Sequence, residues 1–458
     1  MNAIRRFLRL LWIEIQRSPA ALVSVLGLVL AWLIRDNPPR GVVIWNDISQ
    51  SVADGHLVIA PLGAAIAVWS VGRSRRRGVS EQEVALPLPA GSSELIITLA
   101  VMFWMVSAYA SFFVLLAIPG WRFATWGSPN LPMILIGALA TCACVAIGSI
   151  ISRFGRSVIL SPVTLIATYG AMVYVSDSLW YSDTARLVPI KFLSDNGFNF
   201  DVRQPADDFL WFCAWMATLT VTLIFLQLLL RSRSLLRVAA IVLSIGLAST
   251  SATQVVAGPR FPTQPTDIPV NPVCEMASQF EVCVHPAMES LLDEVIAEVN
   301  EIAPNFAGLT GLPTTLYQTE LVDPFASGIA RFHVWDKTTI GYVIPETFTS
   351  FTSASSSLDD GTSLSASQCA VGMALTETAG DFPHCVYGVV YESANQSFPP
   401  GNELGQRGPD QAARDEAARE ISDKAKSFAA LTPEVRQAWL DENWDALRAG
   451  ELELDDLP

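Results

Sequence analysis

The stretch "SVGRSRRRGVSEQEVALPLPAG" (residues 70–91) gathers Arg73, Arg75, Arg76 and Arg77, then Gly78, Glu81 and Glu83, and ends on Pro87 and Pro89. Guanidinium groups at this density can seat on anionic headgroups or grip a protein partner through forked hydrogen bonds. Headgroup anchoring needs only the arginines. The Glu81–Glu83 segment, closed by Pro87, is what a short helix with a proline stop would need. A second set of reactive side chains lies far downstream. Of seven cysteines, Cys274, Cys283, Cys369 and Cys385 fall in the C-terminal part. An even set in one soluble region suits disulfides in an oxidising compartment. Three pairings are possible; Cys274–Cys283 with Cys369–Cys385 is favoured because each closes a short loop. The spacings lack the CxxC pairs of a structural zinc site, so no metal is expected. Cys142, Cys144 and Cys213 sit in apolar stretches as packing thiols.

These groups must be positioned by two chemically different halves. The chain has 458 residues and a formal net charge of −15. Residues 1–257 carry 19 Lys and Arg against 13 Asp and Glu, whereas residues 258–458 carry 10 against 31. Charged residues make up only 16% of the whole, below the quarter or so usual for soluble domains. Seven apolar stretches, at about 18–34, 55–72, 95–118, 131–152, 157–176, 209–230 and 237–257, are each of the length needed to cross roughly 30 Å of hydrocarbon. The expected fold is a polytopic α-helical membrane domain (18–257) joined by a Pro-rich linker (258–273) to an extracytoplasmic α+β domain (274–395). A charged helical tail (396–458) follows.

Arginine placement sets the expected orientation. With the N-terminus cytoplasmic, inner segments hold Arg5, Arg6, Arg9 and Arg17, the 73–77 cluster, Arg153 and Arg156, then Arg231, Arg233 and Arg237. Outer loops take most of the acids, including Asp177, Asp183, Asp195 and Asp201. Seven crossings then leave the four-cysteine region outside a cell membrane. No cleavable signal pattern precedes the first stretch. Instead, "MNAIRRFLRLLWIEIQRSP" puts Ile4, Phe7, Leu8, Leu11, Trp12 and Ile15 on one helical stripe, fit to lie in the membrane interface (1–17).

An interfacial helix ahead of the first span, Pro61 and Trp69 in the second, and Arg73, Arg75 to Arg77, Gly78, Glu83 and Pro87 after it carry a likeness to a known family. Over residues 3–257 the chain resembles the membrane subunits of ABC-2-type ABC transporters, notably divergent actinobacterial permeases. Val84 stands where such loops usually have Leu. The resemblance implies that residues 73–87 contact a separate ATPase subunit and pass its motion to spans two and three. "VCVHPA" and "AGLTGLP" likewise resemble the outer domain attached to some of these permeases.

Missing motifs narrow the function. No GxxxxGK[ST] loop is present, so energy for transport must come from another subunit. No predicted span holds an ionisable residue of the kind proton- or sodium-coupled carriers use. Asp54 and His56 fall near the mouth of the second span, where a surface role is expected. Ala140, Cys144, Gly148 and Ser152 recur every four residues, a face for close helix contact within the chain or with a second permease subunit, including a homodimer. The outer domain lacks HExxH and GxSxG, which disfavours a hydrolase, and His285 before Pro286 is expected to cap a helix. Expected partners are the bilayer and an ATPase, with no cofactor and no nucleic acid. A membrane-anchored sensor or scaffold without transport is the alternative. Trp439 and Leu440 are expected to dock on the domain, and the terminal "GELELDDLP" to be solvated.

Overall fold

The N-terminal apolar stripe winds into α1 (Asn2–Arg17), whose Ile4, Leu8 and Trp12 are exposed on the first unit's surface. Pro19 has no N–H to donate, and the axis bends by 57° into α2 (Ala20–Ile34). This computed structural model describes residues 2–35, 42–77, 91–155, 157–178, 186–189, 202–203, 206–230, 235–258, 264–265, 271–309, 312, 314–318, 330–332, 365–375 and 411–458. The chain divides into two units, Met1–Pro38 with Val43–Asp267, and Pro39–Val42 with Ile268–Pro458.

In the first unit, α3 (Trp45–Asp54) and α4 (His56–Val71) meet at Gly55. The helical dihedrals of Gly55 let the pair run on as one apolar length of 27 residues. A single turn, α5 (Arg73–Arg76), follows. Then come α6 (Ser92–Phe123), α7 (Leu131–Ile151), α8 (Leu160–Ser178), α9 (Ala206–Leu229) and α10 (Leu235–Ala257). Asn130 starts α7 by accepting the Met133 N–H at 3.2 Å, ahead of Pro132 in the first turn. A two-residue ribbon pairs β1 (Val202–Arg203) with β2 (Gln264–Pro265). Helix α4 is the hub, touching α2, α6, α7 and α8.

The burial pattern is inverted relative to a soluble bundle. In α2 the buried residues are Ala20, Ser24, Gly27 and Ala31, while Leu22, Val25, Leu26, Val29 and Leu33 are exposed. In α10, Ser244, Ala248 and Ser251 are buried, while Val242, Leu243, Ile245 and Leu247 face outward. Small residues let helices approach closely, and large apolar side chains outside are stable only against lipid. Among the described residues, five helices are long and apolar enough to cross a membrane, or six if α1 and α2 count as one bent span. That is the helix set of a multi-pass membrane protein, and it is one or two short of the seven stretches read from the sequence. The difference lies in α2, whose 15 residues rise about 22 Å, and in the apolar part of α8, Leu160–Tyr174.

The second unit holds a small mixed sheet. Hairpin strands β3 (Val273–Ala277) and β4 (Phe280–Val284) are antiparallel, and β5 (Thr315–Gln318) and β6 (Ala330–Phe332) add in parallel in the order 3-4-5-6. Phe280, Val282, Val284 and Leu316 alternate onto one buried face. Helix α11 (Leu292–Ile302) packs on β3 and β4 through the stripe Leu292, Val295, Val299 and Ile302. His285 caps the short turn before it: its Nδ1 accepts the Ala287 N–H at 3.1 Å.

Helix α12 (Ala366–Leu375) is buried from Ser367 to Leu375, covered by α13 (Gln411–Ala429), α14 (Pro433–Arg448) and the turn Leu454–Asp456. Gln368 Nε2 donates to the Leu447 and Arg448 carbonyls at 2.8 and 3.2 Å, closing the C-terminus of α14. The terminal acidic segment is not wholly solvated, contrary to expectation. Leu457 is buried, and Lys424 lies 3.7 Å from Asp455, because the leucines alternate with the acids and need cover.

Candidate functional site

Where α4 ends, the sequence must satisfy a set of last-turn carbonyls next to a run of cations. Arg76 turns back: its Nη2 donates to the Trp69 carbonyl, and its guanidinium lies 5.5 Å from the Trp69 ring centroid. A cation here also meets the negative end of the helix dipole. Gly72 makes room, since a Cβ there would stand 2.8 Å from Arg76 Nη1. Burial first, then the charges of Arg73 and Arg77, lowers the Arg76 pKa from its usual value; a guanidinium nonetheless keeps its charge.

Arg73 points elsewhere. Its Nη2 is 3.3 Å from Glu14 Oε1 on α1, and the Trp104 indole N–H on α6 donates to the Ile15 carbonyl at 2.8 Å. Helix α1 is thereby tied both to the foot of α4 and to α6. Arg77 is exposed, and the Arg75 side chain, Gly78, Glu81, Glu83 and Pro87 lie outside the described residues.

Further along the chain, α6 has Glu94 in its first turn. Glu94 is buried and forms an ion pair with Arg153 just past the end of α7; each side chain is only 9% exposed. One turn on, Thr98 Oγ1 donates to the Glu94 carbonyl at 2.8 Å and accepts from Gln227 Nε2 of α9 at 3.2 Å. Gln227 Oε1 in turn lies 3.5 Å from the Ser149 hydroxyl of α7. A buried polar belt thus joins α6, α7 and α9 at the end of the bundle that carries the arginines. The sequence reading missed Glu94 because it began the third span one residue later.

The four-residue repeat on α7 lies partly against α4. Cys144 clusters with Ala60 and Ala64, and a Cβ on Gly148 would stand 2.2 Å from the Ala64 carbonyl oxygen. Ala140 packs instead with Ala53 of α3, and Ser152 donates to the Ser149 carbonyl at 2.6 Å.

Toward the other end, His56 is fully buried rather than at a surface. Its Nδ1 faces the Ala53 carbonyl, and its Nε2 has no hydrogen-bond partner among the described residues. The Tyr109 hydroxyl of α6 is likewise buried and without a hydrogen-bond partner among the described residues, pressed so near Gly137 that a Cβ there would come within 2.2 Å of it. Nearby on α3, Asp54 accepts from Gln50 Nε2 at 3.0 Å. The helix continues through Gly55, so Asp54 and His56 lie within one apolar length of 27 residues instead of at a break before it. A buried imidazole and phenol at such depth mark a polar point inside the bundle.

Cys274 and Cys283, opposite each other in the β3–β4 register, are joined by a disulfide. Cys369 is disulfide-bonded as well, and Cys385 lies outside the described residues. Compared with models of protein families, with curated proteins and with solved structures, the chain matches none.

Proposed function

We propose that this chain is the membrane-spanning permease subunit of an ABC-type exporter, driven by a separate ATPase subunit. The observation that carries the reading is the joint at the foot of α4. A segment headed by arginines follows a central helix and is tied at its root to α1 by Arg73–Glu14, while α1 is tied in turn to α6 by the Trp104 indole N–H on the Ile15 carbonyl. A partner pressing on Arg73–Arg77 would therefore move α1, α4 and α6 together. On this reading α2 and α8 complete seven crossings, the N-terminus and arginine clusters are cytoplasmic, and the second unit is extracytoplasmic. The outer unit then gates the exit, binds cargo or recruits a partner.

The test is copurification. Affinity-tagged full-length protein, extracted in mild detergent, is expected to bring with it an ATPase carrying a nucleotide-binding loop, identified by mass spectrometry. Arg76→Glu is expected to reduce that association at least several-fold. Recovery of the chain with no ATPase, under conditions where its fold is intact, would leave the non-transporting scaffold as the better account.

A further inference from the structure

Spacing along the chain gave no reason to expect a metal, but the sheet register brings donors together. Cys274 and Cys283 are direct cross-strand partners with Cα atoms 4.1 Å apart, and Glu281 lies two residues from Cys283 on the same face of β4. The two sulfurs and a Glu281 carboxylate oxygen all lie within 4.8 Å of one another. Thr315 Oγ1 on the adjacent β5 donates to Glu281 Oε2 at 3.2 Å, which orients the carboxylate as an outer-shell hydrogen bond does at known metal sites. Cys274 is exposed while Cys283 is buried, so an incoming thiolate can reach one sulfur and displace the other. The disulfide also has little hairpin left to hold. The β3–β4 ladder already runs from Val273↔Val284 to Ala277↔Phe280, closing the same short loop.

We propose that Cys274 and Cys283, once reduced, form with Glu281 a site for a thiophilic d10 cation of the Zn2+ class. The reductant is a dithiol. Its thiolate attacks Cys274 Sγ and releases Cys283 as thiolate; its second thiol then resolves the mixed disulfide. Two electrons and two protons pass to the cysteine pair, and the dithiol leaves as a disulfide. Binding Zn2+ expels the two cysteine protons, and side-chain rotation brings sulfurs and carboxylate to the roughly 2.0–2.3 Å bonds that zinc requires. Water or a further side chain fills the fourth position. This inference does not depend on the permease reading.

Full-length protein in detergent is divided into an oxidised sample and one reduced with dithiothreitol and desalted under argon. Each is equilibrated with Zn2+ alone, and bound zinc is counted by mass spectrometry. The reduced protein is expected to hold one equivalent more than the oxidised protein and one more than reduced C274S/C283S. Glu281→Gln should weaken that equivalent by about tenfold or more. If the serine variant fails to fold, alkylation of the reduced native protein gives the second readout. Zn2+ should slow iodoacetamide labelling of Cys274 and Cys283, mapped by peptide, and Glu281→Gln should relieve that protection. Equal zinc in the oxidised and reduced native protein, or unprotected thiols in the presence of Zn2+, overturns the site.

Discussion

Replacing Glu94 by Leu removes one charge from a pair whose two side chains are each 9% exposed. Arg153 then keeps its charge beside an apolar side chain, in a place where water supplies little solvation. One-sided removal of a buried partner costs about 3–5 kcal/mol, most of it the uncompensated ion left behind. Arg153→Met, which strands the carboxylate instead, should cost a similar amount. The double change Glu94→Leu with Arg153→Met removes both charges and keeps most of the volume. It should therefore unfold close to the wild type, within about 1 kcal/mol. At roughly 2–4 °C per kcal/mol for a unit of this size, each single variant should melt some 6–20 °C lower and the double variant only slightly lower. The assay is thermal unfolding in one fixed detergent, followed by tryptophan fluorescence and closed as a double-mutant cycle. Losses that simply add would mean the two residues do not interact, and the polar belt would lose its central contact.

Gly148→Ala places a methyl 2.2 Å from the Ala64 carbonyl oxygen, so it should cost about 1–3 kcal/mol or more. Gly170→Ala, with nothing within 4 Å, should instead stabilise α8 by up to about 1 kcal/mol, and unfolding of both in the same detergent checks the opposite signs. Gln368→Ala removes the side-chain donor to the Leu447 and Arg448 carbonyls and should cost about 1–3 kcal/mol, with faster amide exchange in the last turn of α14. Burial, and then the neighbouring Glu301, raises the Glu298 pKa, so the folded state holds that proton more tightly than the unfolded chain does. Its ionised form therefore costs stability above the usual carboxylate range. Glu298→Gln should raise the melting temperature at neutral pH, and the gain should vanish in acid where both states are protonated.

The parts legible in the sequence were those with a short repeat. The stripe Leu292, Val295, Val299 and Ile302 announces α11, and Ser18-Pro19 announces the bend after α1. The Cys274–Cys283 pairing follows from loop length and matches the hairpin register. Hidden from that reading were contacts between distant residues. Arg73 meets Glu14, and Glu94 meets Arg153, each across 59 positions, and only the rotation of one packed helix against another sets such pairs. His56 was misplaced for a local reason: a glycine signals a break, but Gly55 adopts helical dihedrals and the helix runs on. The parallel neighbours β4 and β5 have about thirty residues between them, so nothing in either strand names the other.

The burial of Ser367–Leu375 has a consequence during synthesis. Much of its cover comes from residues 411–457, which leave the ribosome later than the segment they shield. Until then its alanines, Val371, Met373 and Leu375 stand bare, offering chaperones a target and proteases an opening. A stop codon between 376 and 410 would therefore be expected to yield a fragment that is degraded, even though every residue of the sheet would already have been made.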